Sequence, residues 1–392
     1  MKILYISLRF PYPPHSGDKI RTYNILKHLS QRHSISFISF VQSRQEANLS
    51  KHLLEFCHQV KTVEFSKIRA YWNCLAFFYF SEPFQVHFWY SHEMQQQINR
   101  ILESGDFDLI HVQFFRMAQY VTRFNGIHKI LDSCDSYALN LSRRAKLDKG
   151  ISWPLLKVEA SRVKNYETEI AQWFDRVTMV SALDRDCLLS VNPNIPLSVV
   201  PMGVDLEYYK PNDKEYGQNL LFTGTIKYFP NKDAIIYFYN EIFPLVKEAV
   251  PDVKFYVVGN RPPKTIKSLE SNGDVVVTGW VDDVRPYFHN SAVFVCPLRS
   301  GSGMQAKILE SMAMGVPVVT SSMGFEALDA VPARDIMVAD DAEVFAEYVI
   351  KLLKDRDFRN RVSYNARKLV EEKYGWASVV KMMDEIYDGI VN

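Results

Sequence analysis

The 392-residue chain is long enough for two domains, and its 47% hydrophobic and 23% charged content excludes a disordered or fibrous protein. Its net charge of +1 offers no basic stripe for nucleic acid. That charge hides an asymmetry: residues 1–200 carry 24 basic against 18 acidic side chains, residues 201–392 carry 22 against 27, and the first hundred alone carry 12 against 6.

In chain order, "KILYISL" (2–8) predicts a buried strand, and "RFPYPPHSGDKIR" a loop. A helix follows from about Thr22 to Gln31, then a strand in "SISFISF" (34–40). The rhythm continues through "DLIHVQ" (108–113), "HKILDS" (128–133), a charged helix from about Pro154 to Trp173, and "RVTMVS" (176–181). Residues 194–218, marked by proline and glycine with little periodicity, read as a linker. Strands then alternate with helices at 219–225, 254–260, 275–280, 292–298 and 316–322, and a last helix runs from about Ala377 to Val391. This is an α/β pattern of two doubly wound parallel sheets. We expect an N-terminal domain over 1–205, a C-terminal domain over 206–376, and a helix at 377–392 that packs back on the first. The expected site lies at strand carboxyl ends, in a cleft between facing sheets.

Five scattered cysteines with no C-x-x-C argue against disulfides or zinc and for a reducing compartment. The opening "MKILYISLRFPYPP" is too short and too weakly flanked for a signal peptide, and no run of about 18 apolar residues occurs. The expected location is cytoplasmic, at most peripheral at the inner face of the plasma membrane.

The stretch "PLRSGSGMQAKILESMAMGVPVV" (297–319) follows a strand. Gly301 and Gly303 let backbone amides approach a ligand, and the helix start favours an anion, a phosphate or diphosphate above all. Lys307 adds a full charge one turn in. Glu310, three residues further, offers a carboxylate to the vicinal diol of a ribose. Taken alone, the pair reads equally as an exposed i, i+3 ion pair.

It does not stand alone. "VVPMGVDLEYYKP", "LLFTGTIKYFPNKDAI", "KFYVVGN", "VVVTGWVDDVRPYF" and the stretch above occur in one order. Together they resemble the retaining glycosyltransferases of family 4, which have the GT-B fold. The resemblance implies a nucleotide-sugar donor, a UDP-hexose with UDP-glucose favoured and GDP second. It implies no bound metal or other cofactor, and a saccharide or polyprenol-linked saccharide acceptor in extracellular polysaccharide synthesis. Family members carry two glutamates separated by seven residues. Glu310 matches the second, while Ser302 stands in place of the first, beside the donor sugar. The amides of Gly303, Met304 and Gln305 would face sugar and diphosphate. Gly224 ends the first strand of that domain, and Lys227 and Lys232 follow as candidates for the diphosphate. Arg261 and the backbone of Val281 would frame the base.

In the N-terminal domain, Gly17 matches the family's glycine-rich loop and reads equally as an ordinary turn. Where many members have a histidine, this chain has Asp132 or Asp135. We favour Asp135 as a polar contact to sugar or acceptor, and either residue also suits a helix cap. His111 is another strand-end candidate on the acceptor side, and reads as a satisfied core residue too. Residues 71–90 hold ten aromatics, preceded by Lys67 and Arg69. They read as a core segment or as a surface for a lipid-linked acceptor. The resemblance also leaves two rivals, a GT-B nucleotide-sugar isomerase or epimerase and a degenerate nucleotide-sugar-binding partner of an active transferase.

Overall fold

The structure, a computed structural model, describes residues 1–76, 81–147, 153–211 and 217–391. It divides into two compact units, Met1–Pro201 with Val379–Asn392, and Met202–Ser378.

The first unit is built on a seven-stranded parallel sheet. Its strands are β1 (Lys2–Ser7), β2 (Ser34–Val41), β3 (Gln59–Glu64), β4 (Leu109–Gln113), β5 (His128–Cys134), β6 (Arg176–Met179) and β7 (Leu197–Val199), in the order β3-β2-β1-β4-β5-β6-β7. The central strands are apolar on both faces because helices cover both, and Ile6, Val112, Leu131 and Val177 share one core. Helix α1 (Gly17–Leu29) follows β1 and starts five residues earlier than the periodicity indicated. Ser16, extended at φ −140°, ends the loop, so Gly17 and Asp18 already form the first turn. Helices α2 (Lys67–Ala76) and α3 (Phe84–Phe88) come from the aromatic stretch. Helices α4 (Tyr137–Leu147) and α5 (Trp153–Ala171) follow β5.

The second unit holds a six-stranded parallel sheet. It comprises β8 (Asn219–Thr223), β9 (Phe255–Val258), β10 (Val275–Gly279), β11 (Ser291–Cys296), β12 (Val318–Thr320) and β13 (Met337–Val338), in the order β10-β9-β8-β11-β12-β13. Helix α6 (Phe229–Tyr237) follows β8, and α7 (Ala306–Ala313) follows β11. The last helix, α8 (Trp376–Val391), belongs to the first unit from Val379 onward.

One boundary needs correction. The stretch read as a linker from 194 to 218 contains β7, which pairs in parallel with β6 and closes one edge of the first sheet. Three residues are too few for a periodic signal. Residues 212–216 of that stretch lie outside the described residues.

Candidate donor site and strand-end clusters

In each sheet the chain order reverses at the first strand, between β1 and β4 and between β8 and β11. Ligands of open parallel sheets bind outside the carboxyl ends at such switch points. In the second unit that place is occupied by Gly224, after β8, and by the loop 297–305, after β11.

Three neighbouring strands of this sheet end in glycines with positive φ: Gly224 (147°), Gly259 (155°) and Gly279 (71°). They stack closely. The Gly224 amide donates to the Val258 carbonyl at 3.0 Å, and the Gly259 amide to the Gly279 carbonyl at 3.1 Å. A Cβ on Gly259 would stand 1.7 Å from the Gly224 carbonyl oxygen. A Cβ on Gly224 would meet Asn231 Nδ2 at 3.0 Å and Lys307 Nζ at 3.4 Å. These strand ends therefore leave backbone, not side chain, at the surface of the site.

Gly301 and Gly303 also take positive φ, 133° and 68°, and turn the chain into α7. Gln305 is the N-cap at φ −85°, and its side chain makes no capping bond; the Ile308 amide turns to the Gln305 carbonyl at 2.9 Å, and no side chain among the described residues caps the amides ahead of it. Two buried hydroxyls face the same need. Thr223 Oγ1, at the end of β8, and Ser300 Oγ, in the loop after β11, have no hydrogen-bond partner among the described residues. Buried polar groups are rarely left so, which marks these strand ends as a place where a polar ligand belongs.

Lys307 and Glu310 sit side by side on α7, both half-buried. The Lys307 ammonium donates to Asn231 Oδ1 and stands 4.6 Å above the Phe222 ring. Burial lowers its pKa, with Glu310 pulling the other way. Burial pushes the Glu310 carboxyl up to about 7, although a hydrogen bond from the Tyr209 hydroxyl and the charge of Lys307 oppose it. Neither Asn231 nor Tyr209 stood out in the sequence. Arg299, in the same loop, was missed as well. Its guanidinium grips Asp233 at 2.9 and 2.6 Å and covers the Tyr237 ring at 4.6 Å. Of the other candidates, Lys227 is exposed before α6 and Lys232 half-buried on it. Arg261 is exposed after β9 with φ 53°, and Val281 lies two residues beyond the end of edge strand β10. Met304 and Ser302 are half-buried in the glycine loop.

Three candidates of the first unit sit in structural surroundings. Asp132 is fully buried, gripped by Arg21 at 2.8 and 3.0 Å and by the Thr178 hydroxyl at 2.9 Å. Burial opposes its ionisation, but the Arg21 guanidinium more than offsets that and holds the pKa below the usual range. Arg21 also donates to the Pro201 carbonyl at 2.8 Å. His111 is fully buried too, stacked 4.1 Å from the Tyr5 ring and 2.5 Å by Nδ1 from the Tyr387 hydroxyl. Burial takes its pKa down to about 4, against the pull of Asp132. Both are internal girders here, not acceptor contacts. Gly17 is the first residue of α1 with nothing within 4 Å of an added Cβ, so no loop geometry demands glycine there.

Asp135 stays half-exposed at the end of β5, and Cys134 before it takes a positive φ of 64°. The start of α4 is held by Glu167 from α5, which accepts from the Tyr137 amide at 2.9 Å and the Ala138 amide at 3.4 Å. The Ser136 amide meanwhile donates to Asp184 at 3.0 Å. Burial pushes Glu167 up to about 8, against those amides.

Among the described residues no cluster of three or more His, Cys, Asp or Glu is placed to hold a metal ion, and no helix is long and apolar enough to cross a membrane.

Residues 217–355 match the family model described as glycosyl transferases group 1. An uncharacterized 44.6 kDa protein in the cps region of Klebsiella pneumoniae is 22% identical, over 95% of this chain and 96% of its own. The UDP-Gal:alpha-D-GlcNAc-diphosphoundecaprenol alpha-1,3-galactosyltransferase of Escherichia coli is 21% identical, over 74% of this chain and 76% of its own. Among solved structures, HepE of Anabaena in complex with UDP matches with a TM-score of 0.73, over 99% of this chain and 100% of that one, at 11% identity.

Proposed function

The chain carries a group 1 glycosyl transferase domain on a GT-B fold, and from that premise we propose a retaining, family 4-like hexosyltransferase. It moves a hexose from a UDP-sugar, UDP-glucose first, to a hydroxyl of a saccharide or polyprenol-linked saccharide in extracellular polysaccharide synthesis. The observation that carries the reading is the end of β11: a glycine loop opens an uncapped helix, with Lys307 beside Gly224 and Glu310 one turn on. The UDP bound in the HepE structure and the UDP-Gal named for the Escherichia coli relative support the nucleotide. The cps-region and diphosphoundecaprenol relatives support the setting.

In this reading the amides of Gly303, Met304 and Gln305 and the α7 terminus receive the diphosphate, with Lys307, Lys227 and Lys232 adding positive charge. Ser302 hydrogen-bonds a hexose hydroxyl. Glu310 accepts from both ribose hydroxyls, and Arg261 with the Val281 backbone frames the base. The bond between sugar C1 and the diphosphate oxygen breaks as the acceptor oxygen bonds C1 on the same face. The acceptor proton passes to the departing diphosphate, and Asp135 orients the acceptor hydroxyl. Donors aimed at the developing diphosphate charge supply the main stabilisation, so the reading requires no bound metal.

Thermal melts with UDP, GDP, ADP and CMP, each with and without magnesium, test it. UDP at about 100 times its Kd is expected to add about 2.7 kcal/mol of stability, indifferent to magnesium. No shift with any nucleotide overturns the donor site. Binding of UDP-glucose with no transfer to any saccharide acceptor would instead favour a non-catalytic binding partner.

A further inference from the structure

The aromatic stretch 71–90 splits in the folded chain. Its later part turns inward: Val86 and His87 are buried, and Trp89 packs 4.3 Å from the Phe65 ring and 5.8 Å from Phe40. Residues 77–80 lie outside the described residues. The earlier part, on α2, does the opposite. Asn73 donates to the carbonyls of His87 at 3.1 Å and Tyr90 at 3.0 Å, Cys74 faces the Phe84 carbonyl, and Ala70 is buried. These contacts fix one face of α2 against α3 and the residues after it. The other face carries Ile68, Tyr71, Trp72 and Leu75, at i, i+3, i+4 and i+7, each between 64 and 73% exposed. Four large apolar side chains so exposed on one short helix are not ordinary surface.

Their charge setting selects the partner. Helix α2 has Lys67 and Arg69, both exposed, and no acidic residue. Leu155, Lys157 and Val158 are also exposed at the start of α5, and Lys164 is exposed further along it. That end of α5 adjoins α3, whose Phe84 amide donates to Glu159 at 3.0 Å. Tryptophan and tyrosine favour the headgroup level of a bilayer, where one end of the ring is apolar and the other wet. Basic side chains beside them draw the surface to anionic lipid.

We propose that α2 is a membrane-docking helix, with Ile68, Tyr71, Trp72 and Leu75 entering the headgroup region of an anionic bilayer and Lys67 and Arg69 held at its phosphates. One short helix with two basic residues makes a reversible contact that needs both its apolar and its ionic part. The inference rests on the reading that the acceptor is lipid-linked, since docking brings the chain to such a substrate.

Cosedimentation with phosphatidylcholine vesicles, plain or containing phosphatidylglycerol, tests it on the full chain. The wild type is expected to bind the anionic vesicles at least about tenfold better than the neutral ones, and to be released by salt. The double variants I68S/W72S and K67E/R69E are each expected to lose about tenfold or more in binding while keeping the wild-type UDP melting shift. Failure of the wild type to bind anionic vesicles overturns the proposal, as does equal binding by the variants. So does a dimer in velocity sedimentation that I68S/W72S dissolves, which would assign the stripe to a second copy. A wild type that binds vesicles but shows no nucleotide shift refutes the donor site and leaves the docking helix standing.

Discussion

Glu310 holds its proton more tightly in the folded chain than the usual 4.5, up to about 7, chiefly because it is desolvated. A carboxyl raised in this way adds stability below its unfolded pKa, and that contribution is lost as pH climbs through about 7. Ligand binding runs the other way, because only the ionised form accepts from both hydroxyls of a diol. UDP-glucose, whose diphosphate has no proton to lose near neutrality, separates this effect from titration of the ligand. Its affinity is expected to rise with pH by about tenfold in all, across the range around 7, and to level off above. Glu310→Gln, which keeps one acceptor and no charge, is expected to bind about tenfold more weakly with a flat profile. Calorimetric titrations at several pH values read both; a flat wild-type profile would remove Glu310 from the ribose.

The strand ends raise a prediction about backbone. Alanine at Gly259 would carry an unfavourable φ of 155° and force its methyl against the Gly224 carbonyl, 1.7 Å away. Backbone cannot step aside as a side chain can, so a loss of about 2 kcal/mol or more is expected, with the melting temperature falling accordingly. Gly17→Ala is the contrast. With open space and a helical position, it is expected to hold or slightly raise stability. The same elements show what periodicity reveals. All ten strands expected from apolar runs are present. The three that were not foreseen, β3, β7 and β13, are all sheet edges. An edge strand has one neighbour and a wetter face, so β3 reads "QVKTVE" and β13 is only two residues long. The glycine turn and the placing of Lys307 and Glu310 one turn apart on α7 were legible because both depend on local spacing alone. Asn231, Tyr209 and Arg21 were not, because their roles arise from pairing with residues 76, 101 and 111 positions away. Asp132 and His111 kept two readings in sequence for the same reason: a strand-end polar residue looks alike whether it meets solvent or a buried arginine.

At the scale of the whole molecule, the chain ends in a helix whose body belongs to the unit where the chain begins. Tyr387 is fully buried against His111, Asp384 accepts from His33 at 2.5 Å, and Arg32 pairs with the same carboxylate. The first unit is therefore incomplete until the last residues arrive, whereas the second, Met202–Ser378, is continuous in sequence. Removing the Tyr387 side chain leaves a cavity in the first unit and strips His111 of its Nδ1 partner. Tyr387→Ala is expected to cost about 3–5 kcal/mol, all of it in the first unit. Two cores of this kind allow two unfolding transitions in urea, and two perturbations label them. Tyr387→Ala is expected to move one midpoint downward, while UDP is expected to raise the other, because the donor site proposed for it lies on the second unit's strand ends. A single transition that both perturbations shift together would show instead that the two sheets unfold as one cooperative body, and Glu310 and Tyr387 would then report on the same stability.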